Sequence, residues 1–170
     1  MATFSLYDAT ITPAKAALTT LKGILTTAQQ HTNSSTFVTS RIYEDMRPLT
    51  FQVHYSTAQA DKMASKLSGR EPTDLEDNLS SYAEMHARID HVLELLAGVD
   101  KDTVNTIGET SAPTPIGQDR VKDIPLKILA MAALMPNVFF HVTMAYAILR
   151  KEGVPLGKRD WSRPFVSDYI

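Results

Sequence analysis

Two polar side chains interrupt an apolar helical segment and form the strongest chemical signal in the sequence. Asn137 and His141 stand at i and i+4 within Ala130 to Leu149, where nearly every other residue is apolar. This spacing places both side chains on one face of a helix. A buried imidazole or amide costs free energy unless it has a partner, so this face must meet a hydrogen-bonding group, a metal ion or a ligand. The pair therefore locates a candidate site without naming a reaction.

The second predicted helix carries polar residues that could face this pair. Beside its apolar stripe it presents a polar strip, composed of Thr50, His54, Thr57 and Asp61. Such a strip is typical of a wet pocket wall, and also of a helix boundary where polar side chains meet solvent. With the Asn137/His141 pair opposite, the first interpretation predicts a buried polar pocket between the two helices.

These groups suit acid–base chemistry better than tight metal binding. A catalytic metal normally takes three ligands from His, Asp or Glu, whereas His54 and His141 supply two and Asn137 offers a weak amide oxygen. Histidine titrates near neutrality, and an asparagine amide can orient a carbonyl or donate to an enolate oxygen. We therefore predict a small-molecule enzyme of isomerase, cyclase or dehydratase type without a bound cofactor. Its catalytic residues would be His141, His54 and Asn137, with His141 as proton shuttle.

Four further residues are candidate substrate-binding groups: Tyr7, Tyr55, His86 and Tyr146. His86 lies close to the apolar stripe of the third predicted helix, so a core-edge histidine bonded to a neighbour is the competing interpretation. The sequence contains no Gly-rich phosphate loop, nucleophile elbow or HExxH motif, which removes support for common nucleotide and protease mechanisms.

Apolar periodicity predicts four helices and hence an all-α bundle. The predicted spans are Thr12 to Gln30, Pro48 to Gly69, Thr73 or Asp74 to Gly98, and Ile124 to Lys151. Pro13 suits the first turn of the first helix, and Pro136 is expected to kink the fourth or to begin a new one.

The two remaining segments are expected to be ordered. Residues 99–122 are rich in Gly, Pro, Thr and Ser, which predicts a long loop with a short extended piece. The tail from Val154 carries Trp161, Phe165 and Tyr169, and we expect these aromatic rings to pack on the bundle or on a second subunit.

Composition narrows the class of protein. A length of 170 residues predicts a single domain spanning 1–170, and the absence of cysteine excludes disulfides, thiolate zinc sites and a cysteine nucleophile. A net charge of −2 argues against a nucleic-acid partner. The N-terminus has no basic, apolar leader and no long uninterrupted apolar run follows, so we predict a cytoplasmic protein that does not insert into membranes.

Several segments resemble an uncharacterised DinB-like family found in bacteria and fungi, labelled a domain of unknown function. They are Ser5 to Asp8, Asp45 to Val53, Phe140 to Arg150, Gly153-Val154 and Gly157 to Trp161. The wider DinB/YfiT-like superfamily implies a four-helix bundle with up-down-down-up connections, often dimeric. The resemblance therefore implies this architecture for the chain and a homodimer as its assembly.

The resemblance also implies where a divalent metal would sit. Many superfamily members hold one with a histidine of the second helix and an HxxxH pair on the fourth. His54 matches the first ligand and His141 the last, but Asn137 stands where the other histidine would be. This departure puts the superfamily's metal-dependent activities in doubt for this chain.

Two alternatives to the acid–base enzyme therefore stay open. One is a metal-dependent DinB-like transferase or hydrolase, with His54, Asn137 and His141 as ligands. The other is a non-catalytic small-molecule-binding or stress-related module, in which the interior polar groups satisfy one another.

Overall fold

The first helix begins earlier than its apolar pattern predicts. In the computed structural model, which describes residues 4–117 and 119–167, α1 spans Leu6–Gln29. Ser5 caps it: its hydroxyl accepts the N–H of Asp8, and the Asp8 carboxylate accepts the N–H of Ser5. This reciprocal capping box fixes the first helical residue at Leu6, directly after Ser5. The predicted start at Thr12 is therefore wrong, and Pro13 lies inside the helix.

The second long helix matches its prediction. A short helix, α2, spans Ser34–Phe37, and α3 then runs over Leu49–Ser68. Pro48 stands at the N-cap in extended backbone, and Gly69 closes the helix in the left-handed region with φ 72°. Proline needs no N–H partner at a helix start and glycine carries no Cβ penalty at a left-handed C-cap, which is why both ends could be predicted.

The third long helix starts later than predicted. α4 spans Tyr82–Ala97, and the Ser81 hydroxyl and Glu84 carboxylate form its capping box. Thr73, one of the predicted caps, instead belongs to an irregular segment after Gly69, where its N–H donates to the Asp61 carboxylate at 2.8 Å. The predicted start is therefore wrong, because Leu75 and Leu79 pack against the core from this irregular segment and not from a helix.

Residues 99–122, predicted as a loop, contain regular structure. Helix α5 spans Lys101–Ile107, and strands β1 (Ser111–Pro115) and β2 (Val121–Pro125) pair antiparallel with Thr114 opposite Lys122. The all-α prediction is thus corrected to a mostly helical chain with one hairpin. At the end of α5 the backbone approaches α1 so closely that a Cβ on Gly108 would lie 2.1 Å from the Leu6 side chain.

The fourth long helix contains a local change of pitch. Helix α6 (Leu126–Leu129) continues through one π-helical turn, Ala130–Leu134, into α7 (Met135–Lys151). Pro136 lies two residues after the π-turn, in the first turn of α7. Because proline cannot donate the usual backbone hydrogen bond, a widened turn just before it keeps the helix continuous.

The tail packs on the bundle, as expected. Helix α8 (Lys158–Ser162) and a 3₁₀ turn, Arg163–Phe165, place Trp161 and Phe165 in a stack with centroids 4.9 Å apart. Phe139 of α7 meets both rings, and the Thr20 hydroxyl of α1 donates to the Trp161 carbonyl at 2.8 Å. Tyr169, the third predicted aromatic, lies outside the described residues.

The long helices α1, α3, α4 and α7 surround one apolar core. α3 packs on α7 and α4, and α4 also packs on α1. α3 and α4 end side by side, because Ser68 and Gly98, which stand at their C-terminal ends, line one surface cavity. α7 ends beside the connector that follows α1, where the Lys151 ammonium donates to the Arg41 carbonyl at 2.8 Å. α1 and α7 therefore run in one direction, and α3 and α4 in the other.

The helical run Leu126–Lys151 is long and apolar enough to cross a membrane, judged by length and composition alone. Such a result is common for the core helices of soluble domains, and α7 packs along both α1 and α3. The structure is thus that of a soluble domain. Its localisation to the cytoplasm stays a prediction.

An ion pair with a buried carboxylate should contribute measurably to stability. Asp61 is 1% exposed and accepts from both the Arg70 guanidinium and the Thr73 N–H. Asp61→Ala should lower the free energy of unfolding by about 2–4 kcal/mol, because it leaves these donors without their buried acceptor. Chemical denaturation measures this loss.

Asp90→Ala is the matched control. Asp90 pairs with Lys22 at the surface, where both side chains are almost half exposed, so its loss should cost at most about 1 kcal/mol. Equal losses for the two variants would contradict a structural role for Asp61.

Candidate functional site

His141 lies at the interface of α3 and α7 in a fixed hydrogen-bonding arrangement. The residue is 8% exposed, and its Nδ1 lies 2.8 Å from Oε1 of Gln52, itself 3% exposed. The Gln52 amide nitrogen donates to the Arg47 carbonyl at 3.0 Å, which turns the amide oxygen toward the imidazole. An amide oxygen only accepts, so Nδ1 carries the hydrogen and Nε2 keeps a lone pair.

Aromatic rings enclose the imidazole. Tyr55 lies 4.6 Å away between ring centroids, Phe140 5.1 Å and Phe51 6.0 Å. Phe51 and Tyr55 stack on one another, while Phe140 is 55% exposed. We call these four residues the aromatic cluster; it extends from the buried imidazole to the molecular surface.

Burial controls the charge of His141. Removal of the imidazole from water lowers its pKa from 6.5 to about 4, because a buried cation loses hydration. The side chain is therefore neutral at pH 7, in the single tautomer that Gln52 imposes.

His54 is on the opposite flank of α3. Successive residues turn by about 100° on a helix, so Gln52 and His54 point about 200° apart. The His54 Nδ1 lies 3.4 Å from the Arg88 guanidinium of α4. Burial lowers the pKa of His54, and Arg88 lowers it further against the opposing effect of Asp77. His54 contacts the aromatic cluster through Phe51, at 6.1 Å between ring centroids.

Asn137 faces a separate cavity, one helical turn before His141. Its amide nitrogen donates to the Ala133 carbonyl of the π-turn at 3.0 Å. The side chain lines a cavity of about 310 Å³ between α3, the β-hairpin and the π-turn, with Gln59 and Thr114 among its walls. The two residues of the opening pair thus share a helix face but have different partners.

The remaining predicted residues are dispersed, except Tyr55. The Tyr7 hydroxyl accepts from Lys15 at 3.0 Å near the start of α1. His86, on α4, has its pKa lowered by burial and by Lys22. Tyr146 lines an apolar slot beside Trp161. The structure therefore joins Tyr55 to His141 and places the other three elsewhere.

The polar strip of α3 does not form a wet pocket wall. Thr57 is fully buried and its hydroxyl donates to the Val53 and His54 carbonyls at 2.8 Å, while Asp61 holds Arg70 and Thr73. The wet-wall interpretation is wrong for Thr57 and Asp61, because the α3 backbone and the segment after Gly69 satisfy both side chains.

The implied metal ligands do not form one donor set. His141 bonds Gln52, His54 faces the cationic Arg88 guanidinium, and Asn137 turns its amide to its own helix. A cation beside one ligand opposes binding of a second cation. Within residues 4–117 and 119–167, His, Asp and Glu side chains also form no group of three that could hold an ion.

Gln52 is the residue that sequence reasoning missed. The apolar stripe of α3 includes Leu49, Val53 and Ala60. Gln52 follows Leu49 by three residues, which is the spacing of a side chain that faces the same core. A single buried amide within an apolar stripe needs a partner, as His141 does. Pairing the two isolated polar groups of facing helices would have identified the contact.

The shifted pKa of His141 predicts a pH-dependent loss of stability. Above pH 6.5, His141 is unprotonated in both the folded and the unfolded chain. Between pH 6.5 and about 4, the unfolded chain binds a proton at this residue whereas the folded chain does not. The free energy of unfolding should thus fall by up to about 3 kcal/mol, because of this group, as the pH decreases through that range.

Two measurements check this loss. Chemical denaturation between pH 7 and 4 should show that the free energy of unfolding of His141→Leu rises relative to that of the parent protein as the pH falls. NMR titration should place the imidazole midpoint near 4. A midpoint near 6.5, or a stability difference independent of pH, would contradict the burial argument.

Comparison with known proteins agrees with the motifs. The profile of the family described as "Domain of unknown function (DUF1993)" matches residues 6–162. Among solved structures, a DinB family member protein from Shewanella denitrificans is similar at 28% identity with a TM-score of 0.83, over 92% of this chain and 90% of that chain. No curated protein matches. The chain therefore belongs to the DUF1993 family, an uncharacterised family with a DinB-like fold.

Proposed function

We propose that this protein is a small-molecule enzyme that performs acid–base chemistry of isomerase, cyclase or dehydratase type with His141 as its proton-transfer group. The observation that supports it is the bond between the His141 Nδ1–H and the Gln52 amide oxygen. This bond leaves Nε2 unprotonated and fixed in direction, which are two requirements for a general base.

The lowered pKa determines which acid–base reactions suit the residue. With a pKa of about 4, the imidazole is neutral throughout the physiological range, and its protonated form is a stronger acid than an ordinary imidazolium. Nε2 would take a proton from an activated C–H or O–H bond of the substrate. The resulting imidazolium, whose N–H exchanges with solvent, would then give a proton to another atom of the same molecule, such as a new carbon position or a leaving hydroxyl oxygen. Proton transfer is then balanced within the site, without a redox partner.

Asn137 is proposed to orient the substrate. One amide hydrogen is committed to the Ala133 carbonyl, which leaves the second hydrogen and the oxygen for a ligand in the neighbouring cavity. The free N–H can donate to a carbonyl oxygen that becomes an enolate. Tyr55 is assigned to the substrate wall because its ring contacts the imidazole.

His54 takes a peripheral position in this proposal. Its contacts with Arg88 and Phe51 assign it to the outer edge of the aromatic cluster. Tyr7, His86 and Tyr146 have no part in it, since their neighbours belong to other regions of the fold. A homodimer is proposed from the family resemblance and is supported by exposed apolar side chains at Ile128, Met131 and Phe140.

A second candidate is a non-catalytic small-molecule-binding module, and the same pKa favours it. An imidazole of pKa about 4 is a weak base but a good hydrogen-bond acceptor, so Nε2 would suit a ligand hydroxyl or N–H equally well. The two functions differ in whether a proton leaves the ligand.

Deuterium exchange distinguishes them. A small-molecule extract incubated with the protein in D₂O should show a metabolite that gains deuterium or loses water. His141→Gln should slow this by about 100-fold or more, because the base is lost. Mass spectrometry follows the change.

His91→Gln is the matched control, since His91 is an exposed histidine of α4. It should retain the parent rate. Retention of the full rate by His141→Gln would remove the catalytic assignment, and binding without exchange would favour the binding module.

Metal content provides an independent test. Protein purified without a histidine tag should carry a divalent metal well below stoichiometry, because His54, Asn137 and His141 bind other groups. Chelation should leave the melting temperature unchanged, since a bound ion would stabilise the fold. A stoichiometric metal whose removal lowers the melting temperature would favour the transferase or hydrolase alternative.

A further inference from the structure

The cavity beside Asn137 has an unusual charge balance. Two lysines of α3, Lys62 and Lys66, line it together with the hairpin residues 113–115 and the π-turn. Among the described residues that line it there is no aspartate or glutamate. The lysines stand at i and i+4, so their ammonium groups extend from the same face of α3.

These two lysines differ from four ion-paired lysines of the surface. Lys22, Lys101, Lys127 and Lys151 each lie within ion-pair distance of a carboxylate. Among the described parts of the chain, neither Lys62 nor Lys66 forms an ion pair or side-chain hydrogen bond. A concave site with two uncompensated charges of one sign concentrates ions of the opposite sign.

The other walls indicate what such an anion would carry. Leu129, Ala133 and Leu134 form an apolar side, and Leu134 is only 4% exposed. Asn137 offers its free amide oxygen on the same side. A ligand matched to these walls has an anionic group at one end, a short apolar body and a hydroxyl or N–H that the amide oxygen can accept.

We propose that the Lys62/Lys66 cavity binds a small organic acid, a molecule with a carboxylate or phosphate group and an apolar body. A volume of about 310 Å³ suits a ligand near the lower limit for small-molecule sites. This inference rests on the proposed function, since it names the substrate class of the face that carries Asn137 and His141. The anion at the lysines would direct the rest of the molecule along α7 toward the imidazole.

Titration with three related probes tests the site. Benzoate and phenyl phosphate carry the two anionic groups on one apolar body, and benzyl alcohol is their neutral counterpart. ¹⁵N NMR of the full chain should show saturable shifts at residues 113–115 and 133–137 with at least one anion, and much weaker binding of the alcohol. The tighter of the two anions identifies the group as carboxylate or phosphate.

The lysines are tested by charge removal. The double variant K62Q/K66Q should bind the preferred anion about tenfold more weakly, because two partly exposed ion pairs are lost. The control K158Q/R159Q removes the same number of charges from exposed positions on α8 and should bind as the parent does.

Three results would overturn the proposal: no saturable shift with either anion, equal affinity for benzyl alcohol, or unchanged affinity in K62Q/K66Q. The test is independent of proton transfer, since His141→Gln should still bind the anion. Anion binding without any His141-dependent exchange would thus count against the proposed reaction alone, and exchange without anion binding against this inference alone.

Discussion

The arrangement of the candidate site depends on one buried hydrogen bond between helices, from the His141 Nδ1–H to the Gln52 amide oxygen. Each group alone would be a costly buried polar atom in an apolar interface. Together they satisfy one another and fix the register of α7 on α3. The Arg47 carbonyl extends the chain of bonds by holding the Gln52 amide nitrogen, so the orientation of the imidazole is determined by the first turn of α3.

His141 and Asn137, which the sequence places on one helix face, lie in two different environments in the structure. His141 lies among aromatic rings, where burial keeps it neutral, whereas Asn137 lies at a cavity bordered by lysines and the hairpin. The π-turn contributes to this separation because it supplies the carbonyl that holds the Asn137 amide. One helix face thus offers a neutral imidazole nitrogen and, a turn away, a polar and positively charged recess.

Sequence could predict features that depend on local chemistry. Pro48 and Gly69 delimit α3 because their backbone restrictions act within a few residues. The burial of His141 followed from its apolar neighbours. The hairpin was not predicted, because Pro113 and Pro115 indicate a loop locally and the pairing with 121–125 joins separate segments. The partner of His54 could not be predicted for a similar reason: Arg88 is on α4, whose position no local pattern gives.

The π-turn makes the recess sensitive to a change of one residue. A π-turn holds one residue more than an α-helical turn needs. Deletion of one residue from Ala130–Leu134 would let the helix close into an ordinary α-helical turn and would remove or displace the Ala133 carbonyl that holds the Asn137 amide. The bond between His141 and Gln52 lies outside this turn. Loss of a single codon would thus alter the recess and leave the imidazole in place.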